Sequence, residues 1–157
     1  MTKKPIIYLL CGLPGSGKTT FAKQLERQDV IRLSLDEELF KMFGKDFSSD
    51  QYLDFEKQTK NKLLEQADLL VKDDKSVILD WGFWKREERE KIKSLFHDQN
   101  VEIRLVYFKK NLDELVRRVY NRDLKGNHII DSEMMKKFFD QFEEPTGEGE
   151  EIFNGVL

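Results

Sequence analysis

Ile6-Ile7-Tyr8-Leu9-Leu10-Cys11-Gly12-Leu13-Pro14-Gly15-Ser16-Gly17-Lys18-Thr19-Thr20 is the stretch that decides the fold. Its six leading apolar residues show no alternation, as expected of a strand buried on both faces of a parallel sheet. Gly12 through Thr19 then match the pattern G-x-x-x-x-G-K-[ST] without a mismatch. Phe21, Ala22 and Leu25 follow at helical spacing. Strand, glycine loop and helix in that order are what phosphate binding requires. Glycines let the backbone curl so that successive N–H groups point at phosphate oxygens, and the helix N-terminus adds its partial positive charge. Lys18 is expected to set its ammonium on the β and γ phosphates, and Thr19 to offer its hydroxyl to Mg²⁺. The bland alternative is a tight turn with an incidental lysine, which the complete motif in its complete context disfavours. The loop implies a nucleotide and leaves the acceptor open.

Outward from this stretch the pattern alternates. Short apolar runs at Val30–Leu33, Val77–Leu79 and Val101–Phe108 are separated by helical periodicities. Tyr52, Phe55, Leu63, Ala67 and Leu70 fall on one broad face of a helix from about Asp50 to Lys72, with Ser48, Ser49 and Asp50 as candidate caps. Ile92, Leu95 and Phe96 mark another helix. Leu112, Leu115, Val116 and Val119 mark the next, and Met134, Met135, Phe138, Phe139 and Phe142 a last one. Such alternation predicts a parallel sheet of four or five strands with helices on both faces. In the last apolar run Glu102 and Arg104 interrupt Val101, Ile103 and Leu105, so one end of that strand should be partly exposed. Glu143 to Glu151 reads as a loop, and Ile152–Leu157 as a short final strand or a frayed end.

The chain has 157 residues, enough for one domain with its own core. Its net charge of −3 argues against binding nucleic acid through bulk charge. Cys11 is the only cysteine, which excludes an intrachain disulfide and a cysteine metal site. The N-terminal apolar run is too short for a signal-peptide core, and no run reaches the ~18 residues of a membrane span. The expectation is a soluble, cytoplasmic protein that makes no use of a membrane; its oligomeric state is not legible.

Candidate acceptor-side residues follow the later strands. Asp36, in Ser34-Leu35-Asp36-Glu37-Glu38, is placed by a doubly wound sheet near the phosphate loop. A carboxylate there can take the proton of an attacking hydroxyl. Ser34 and Glu37 also form a capping-box pattern, which uses neither oxygen of Asp36. Asp80 ends an apolar strand, where it can serve Mg²⁺ or the acceptor, or simply make a turn. Trp81 and Trp84 follow at the sheet edge where ligands bind, as an aromatic wall or as core, and Phe83 between them reads as core. Arg118 and Arg122 share a helical face that runs into a lid expected at about 121–131. Arginines there can close on transferring phosphate charge, or only line a solvated face with Asp113 and Glu114. Neither His97 nor His128 has a partner in the sequence that suggests catalysis.

Taken in order, the glycine loop, Ser34-x-Asp36, Asp80 and the Arg118/Arg122 pair resemble the P-loop kinase group of polynucleotide 5′-kinase, zeta toxin and chloramphenicol phosphotransferase. The chain is also similar to the small bacterial AAA-family ATP-binding proteins grouped with them, through Leu9 to Thr20 and Ile78-Leu79-Asp80 before Trp81-Gly82-Phe83-Trp84. The likeness runs from about Pro5 to Pro145. It implies a three-layer α/β/α fold and ATP- and Mg²⁺-dependent phosphoryl transfer to a hydroxyl. Under it, Gly12 to Thr20 hold nucleotide, Asp36 is the general base and Arg118 or Arg122 acts from the lid. Polynucleotide kinases usually carry an arginine three residues after that Asp; here the position is Leu39. The expected acceptor is therefore a small hydroxyl-bearing molecule. A 5′-hydroxyl nucleic-acid kinase and an ATP-binding switch without acceptor are the alternatives.

Overall fold

The computed structural model describes residues 3–44, 46–123 and 130–153. Strands β1 (Ile6–Cys11), β2 (Ile31–Ser34), β3 (Val77–Asp80), β4 (Glu102–Tyr107) and β5 (Glu151–Ile152) form one sheet in the order β2-β3-β1-β4-β5. Every neighbouring pair is parallel, as the strand–helix alternation predicts. Helices α1 (Lys18–Glu26), α2 (Leu35–Phe43), α3 (Ser49–Lys72), α4 (Arg86–Leu95), α5 (Leu112–Asp123) and α6 (Ser132–Gln141) connect the strands.

Period-two alternation in β1 builds the layers. Ile7, Leu9 and Cys11 enter one core with Leu63, Ala67 and Val71 of α3 and Ile92 of α4. Tyr8 and Leu10 enter the opposite core with Phe21, Ala22 and Leu25 of α1. The central strand is thus covered on both faces, which is why its sequence is apolar throughout. A third cluster joins Leu13 of the glycine loop to Leu115 and Val119 of α5 and Met135 of α6.

Two expectations about helices need correction. α3 buries Thr59, Leu63, Ala67 and Val71, a stripe with spacing of four, while Tyr52 is exposed. The first turns of this 24-residue helix pack on α2 instead, where Phe55 stacks on Phe43 with ring centroids 3.8 Å apart. Ser34 does cap α2, accepting from the Glu37 N–H at 3.3 Å. Its reciprocal partner is missing, because the Glu37 carboxylate accepts from Arg32. The complete capping box lies at α3, between Ser48 and Gln51.

The exposed end of β4 is where the alternation puts it, at Glu102. Arg104 spans to Glu151 of β5 with two hydrogen bonds of 3.0 and 2.9 Å. No helix among the described residues is long and apolar enough to cross a membrane.

Candidate functional site

The glycine loop leaves β1 at its carboxyl end and turns into α1. Gly17 holds φ 104 at the helix N-cap with no side-chain oxygen capping it, so the first-turn N–H groups face the loop. The Lys18 ammonium donates to the carbonyls of Gly12 and Leu13, both at 2.9 Å, and reaches Ser16 Oγ at 3.4 Å. Thr19 and Thr20 lie exposed on the same first turn, and Pro14 is half-buried on the loop before it.

α5 packs directly on this loop. Gly15 holds φ +83, and a Cβ there would meet Val119 Cγ2 at 2.8 Å. Arg118 Nη1 donates to the Gly15 carbonyl at 3.0 Å, and its Nε lies 3.8 Å from Glu114. Gly15→Ala is therefore expected to cost about 1–3 kcal/mol in urea unfolding, since it adds both backbone strain and a clash. Val119→Ala in the same chain should recover the clash portion. Unchanged stability of Gly15→Ala would show that the loop does not rest on α5.

The sheet order alters one expectation. β3 separates β2 from β1, so Asp36 approaches the phosphate loop from across Asp80 rather than from a neighbouring strand. It still reaches the site electrostatically. Burial pulls the Lys18 ammonium down to about 8, opposed by the charges of Asp80, Asp36 and Cys11 and reinforced by Arg122. The charges of three residues singled out in the sequence, Asp80, Asp36 and Arg122, thus reach Lys18 from three other elements.

The first turn of α2 carries three successive carboxylates, and the structure sorts them. Glu37 accepts from Arg32 at 2.9 Å and Glu38 from Lys62 of α3 at 2.6 Å. Asp36 is the one whose charge acts on Lys18. Asp80 Oδ2 accepts from Arg32 Nε at 2.9 Å and lies 2.8 Å from Nη2. Sequence reading missed Arg32, since a four-residue strand is too short to show which way its polar side chain points.

After β3 the chain turns sharply. Gly82 holds φ +80 and Phe83 φ 47. The Gly82 carbonyl accepts from the Gly12 N–H at 3.0 Å, so the turn is stitched to the base of the phosphate loop. Phe83 is fully buried, as expected of core. The two tryptophans part company. Trp81 stacks on Phe83 with centroids 5.1 Å apart, and its indole N–H is buried with no hydrogen-bond partner among the described residues. It lines a cleft of about 350 Å³ between α3 and α4, with Leu53, Lys57, Asn61 and Lys91. Trp84 packs on Phe138 of α6, 5.1 Å between centroids, and does not line that cleft. A joint aromatic wall is not what these residues make.

Beneath the loop lies a charged pair the sequence did not reveal. Arg89 of α4 is fully buried and donates to Glu148 at 2.8 and 3.0 Å. Its Nη1 also donates to the Phe83 carbonyl at 2.8 Å and approaches Cys11 Sγ at 3.9 Å. Arg89 holds the Glu148 carboxyl below the usual range. Burial pushes the Cys11 thiol up to about 12.

Among the described residues no three His, Cys, Asp or Glu side chains gather as a metal cage. A loop hydroxyl, one strand-end carboxylate and phosphate oxygens nevertheless suit Mg²⁺, which keeps its waters and needs no cage. Thr19 and Asp80 are the residues of that kind here. Of the expected lid, residues 124–129, including His128, lie outside the described residues.

A family model described as an AAA domain matches residues 7–145. Solved structures with the same fold include a chain of the Pnkp1/Rnl/Hen1 RNA repair complex, with TM-score 0.76 and 23% identity. The match covers 90% of this chain and 45% of that one, so this chain spans under half the length of that relative. A gluconokinase from Sinorhizobium meliloti 1021 matches with TM-score 0.64 and 16% identity, over 96% of this chain and 82% of that one. At these identities the likeness establishes the fold, which is that of the P-loop kinases.

Proposed function

We propose that this chain, which belongs to the AAA-domain family, is an ATP-dependent phosphotransferase that moves the γ-phosphoryl group to a hydroxyl of a small molecule. The observation that carries the reading is the glycine loop that leads from β1 into α1 with Lys18 folded onto it and Arg118 bound to it, with the charges of Asp80, Asp36 and Arg122 acting on Lys18. Lys18 and the loop amides hold the phosphates, and Asp36 takes the proton of the attacking hydroxyl. Arg118, already on the loop, and Arg122 stabilise charge on the phosphoryl in transit. Mg²⁺, held by Thr19 and through Asp80, would neutralise charge between the β and γ phosphates. Trp81, which lines the α3–α4 cleft, would bound the acceptor there with its ring.

A second reading, a kinase for nucleic-acid 5′-hydroxyls, draws on the likeness to the RNA repair chain. Leu39, where such kinases usually carry arginine, and the net charge of −3 favour the small acceptor. The deciding experiment presents γ-labelled ATP with pooled hydroxyl compounds, nucleosides, aminoglycosides and 5′-hydroxyl oligonucleotides, beside water. Label entering one small-molecule pool, and lost with Asp36, supports the proposal. Label entering oligonucleotide supports the second reading. Label entering only free phosphate, indifferent to Asp36, overturns both in favour of a nucleotide switch.

Lys18 gives a separate test by pH. In the free chain its ammonium titrates near 8 rather than 10.5. Bound phosphates favour the charged form, so Mg·ATP binding at pH 8 is expected to take up protons. Calorimetry in buffers of different ionisation enthalpy measures the uptake, and affinity should fall as pH rises through 8. Stability of the free chain runs the other way. Between about 8 and 10.5 the unfolded lysine holds more protons than the folded one, so stability from this group rises with pH. Proton-neutral binding at pH 8 would place Lys18 away from the phosphates.

A further inference from the structure

We infer that Arg32 is a positioning residue, one that locks the end of β3 and the first turn of α2 together and thereby fixes Asp36 against the phosphate loop. The inference rests on the reading of Asp36 above and adds a residue that neither the motifs nor the fold assign. Arg32 lies on β2, the edge strand of the sheet, yet its side chain is only 11% exposed. Two of its nitrogens reach Asp80 Oδ2, at 2.9 and 2.8 Å, and a third reaches Glu37 Oε1 at 2.9 Å. One rigid guanidinium therefore joins a strand end to the residue next to Asp36. A lysine, with one point charge, can satisfy one of these carboxylates well but not hold both in a fixed fork.

Stability does not account for this arrangement. The Asp80 carboxylate is withdrawn from water, where desolvation offsets attraction, and the Glu37 side chain is 73% exposed, where solvent screens the pair, so neither contact returns much net stability. What the pair does supply is direction. α2 is only nine residues long, buries Leu35 and Leu39, and stacks Phe43 on Phe55 of α3 near its carboxyl end. These apolar contacts do not by themselves fix the direction of the polar side chains on its first turn. Arg32 on one side and Lys62 on the other hold Glu37 and Glu38 and leave one orientation for the turn that bears Asp36. Asp80 is held by the same group, so both carboxylates that act on Lys18 are set by one residue.

The test compares Arg32→Gln and Arg32→Lys with wild type in two measurements. The first is hydrogen exchange of the amides of residues 35–39, which needs no acceptor. Arg32→Gln is expected to speed exchange there about tenfold or more, with the amides of residues 63–71 in α3 unchanged; Arg32→Lys should fall between. The second is transfer of label from ATP to whichever acceptor pool responds, or to water if none does. Here kcat should drop about 10- to 100-fold in Arg32→Gln, as for a displaced reacting group, with KM for ATP nearly unchanged and partial rescue by lysine. Unchanged exchange at residues 35–39 overturns the inference whatever the activity. So does a kcat loss matched by a rise in KM for ATP, or one equal to the fraction of chain unfolded. Faster exchange with transfer indifferent to both Arg32 and Asp36 would keep the lock and instead remove Asp36 as base, so the two readings fail separately.

Discussion

Asp36→Ala is expected to lower phosphoryl transfer by ~10²–10⁴-fold, the range for loss of a positioned acid or base. Mg·ATP should still bind, because the loop amides and Lys18 are untouched. The size of the effect follows from the chemistry. A hydroxyl attacks phosphorus poorly while it keeps its proton, and of the three carboxylates on the α2 turn Asp36 is the one whose charge acts on Lys18. Glu37 is held by Arg32 and Glu38 by Lys62. Asp36→Asn sharpens the test, since the amide keeps an oxygen to orient the hydroxyl but has no basicity. Equal losses in the two variants, measured as kcat at saturating ATP, would establish a base. Near-normal rates in Asp36→Asn would reduce the role to orientation, and near-normal rates in both would remove Asp36 from the mechanism.

The second large effect is structural. Arg89→Met is expected to destabilise the fold by about 3–5 kcal/mol, because it leaves the Glu148 carboxylate buried without its partner. The Phe83 carbonyl loses its donor in the same step, beneath the Gly82–Phe83 turn. Combining Arg89→Met with Glu148→Met should recover most of the loss, since an apolar pair of similar volume avoids the desolvation that the ion pair suffers. Urea unfolding of the single and double variants measures this. A double variant as unstable as the single would mean that Arg89 acts through Phe83 and Cys11 and not through Glu148. Wild type should also weaken in acid. The folded Glu148 holds its proton less readily than the unfolded one, so its contribution is present above about 4.5 and fades as pH falls below.

These two sites differ in how far the sequence discloses them. β1, the glycine loop and α1 were legible because one contiguous stretch carries strand, turn and helix signals that agree. Of the candidate caps Ser48, Ser49 and Asp50, the structure uses Ser48, and its reciprocal partner Gln51 is one the sequence reading did not name. Asp36 could be singled out as a candidate, but the pairing of its neighbours Glu37 and Glu38 depends on cations that arrive from β2 and α3, which no local pattern shows. Arg89 and Glu148 are 59 positions apart, and each sits among other charges, so nothing local marks either as buried. Tyr52 was misplaced by extending one helical stripe along the whole of α3. Periodicity tells which residues share a face, not where the sheet beneath that face comes to an end. The two-residue β5 is too short for any alternation to show.

Cys11 closes β1 one position before the glycine loop, buried between Phe83 and Arg89, with its thiol pushed up to about 12. Alkylating reagents attack the thiolate, so in the folded chain this sulfur is shielded twice over, by access and by protonation. The single native cysteine is therefore a built-in clock for opening of the phosphate-loop base: its slow labelling by iodoacetamide counts the moments when Arg89 and the turn above it come apart. The folded surface offers no competing thiol among the described residues. A reporter dye coupled to a cysteine introduced at an exposed α6 position such as Met134 would then mark one place only, and the motion of that helix over the loop could be followed in the otherwise unaltered chain.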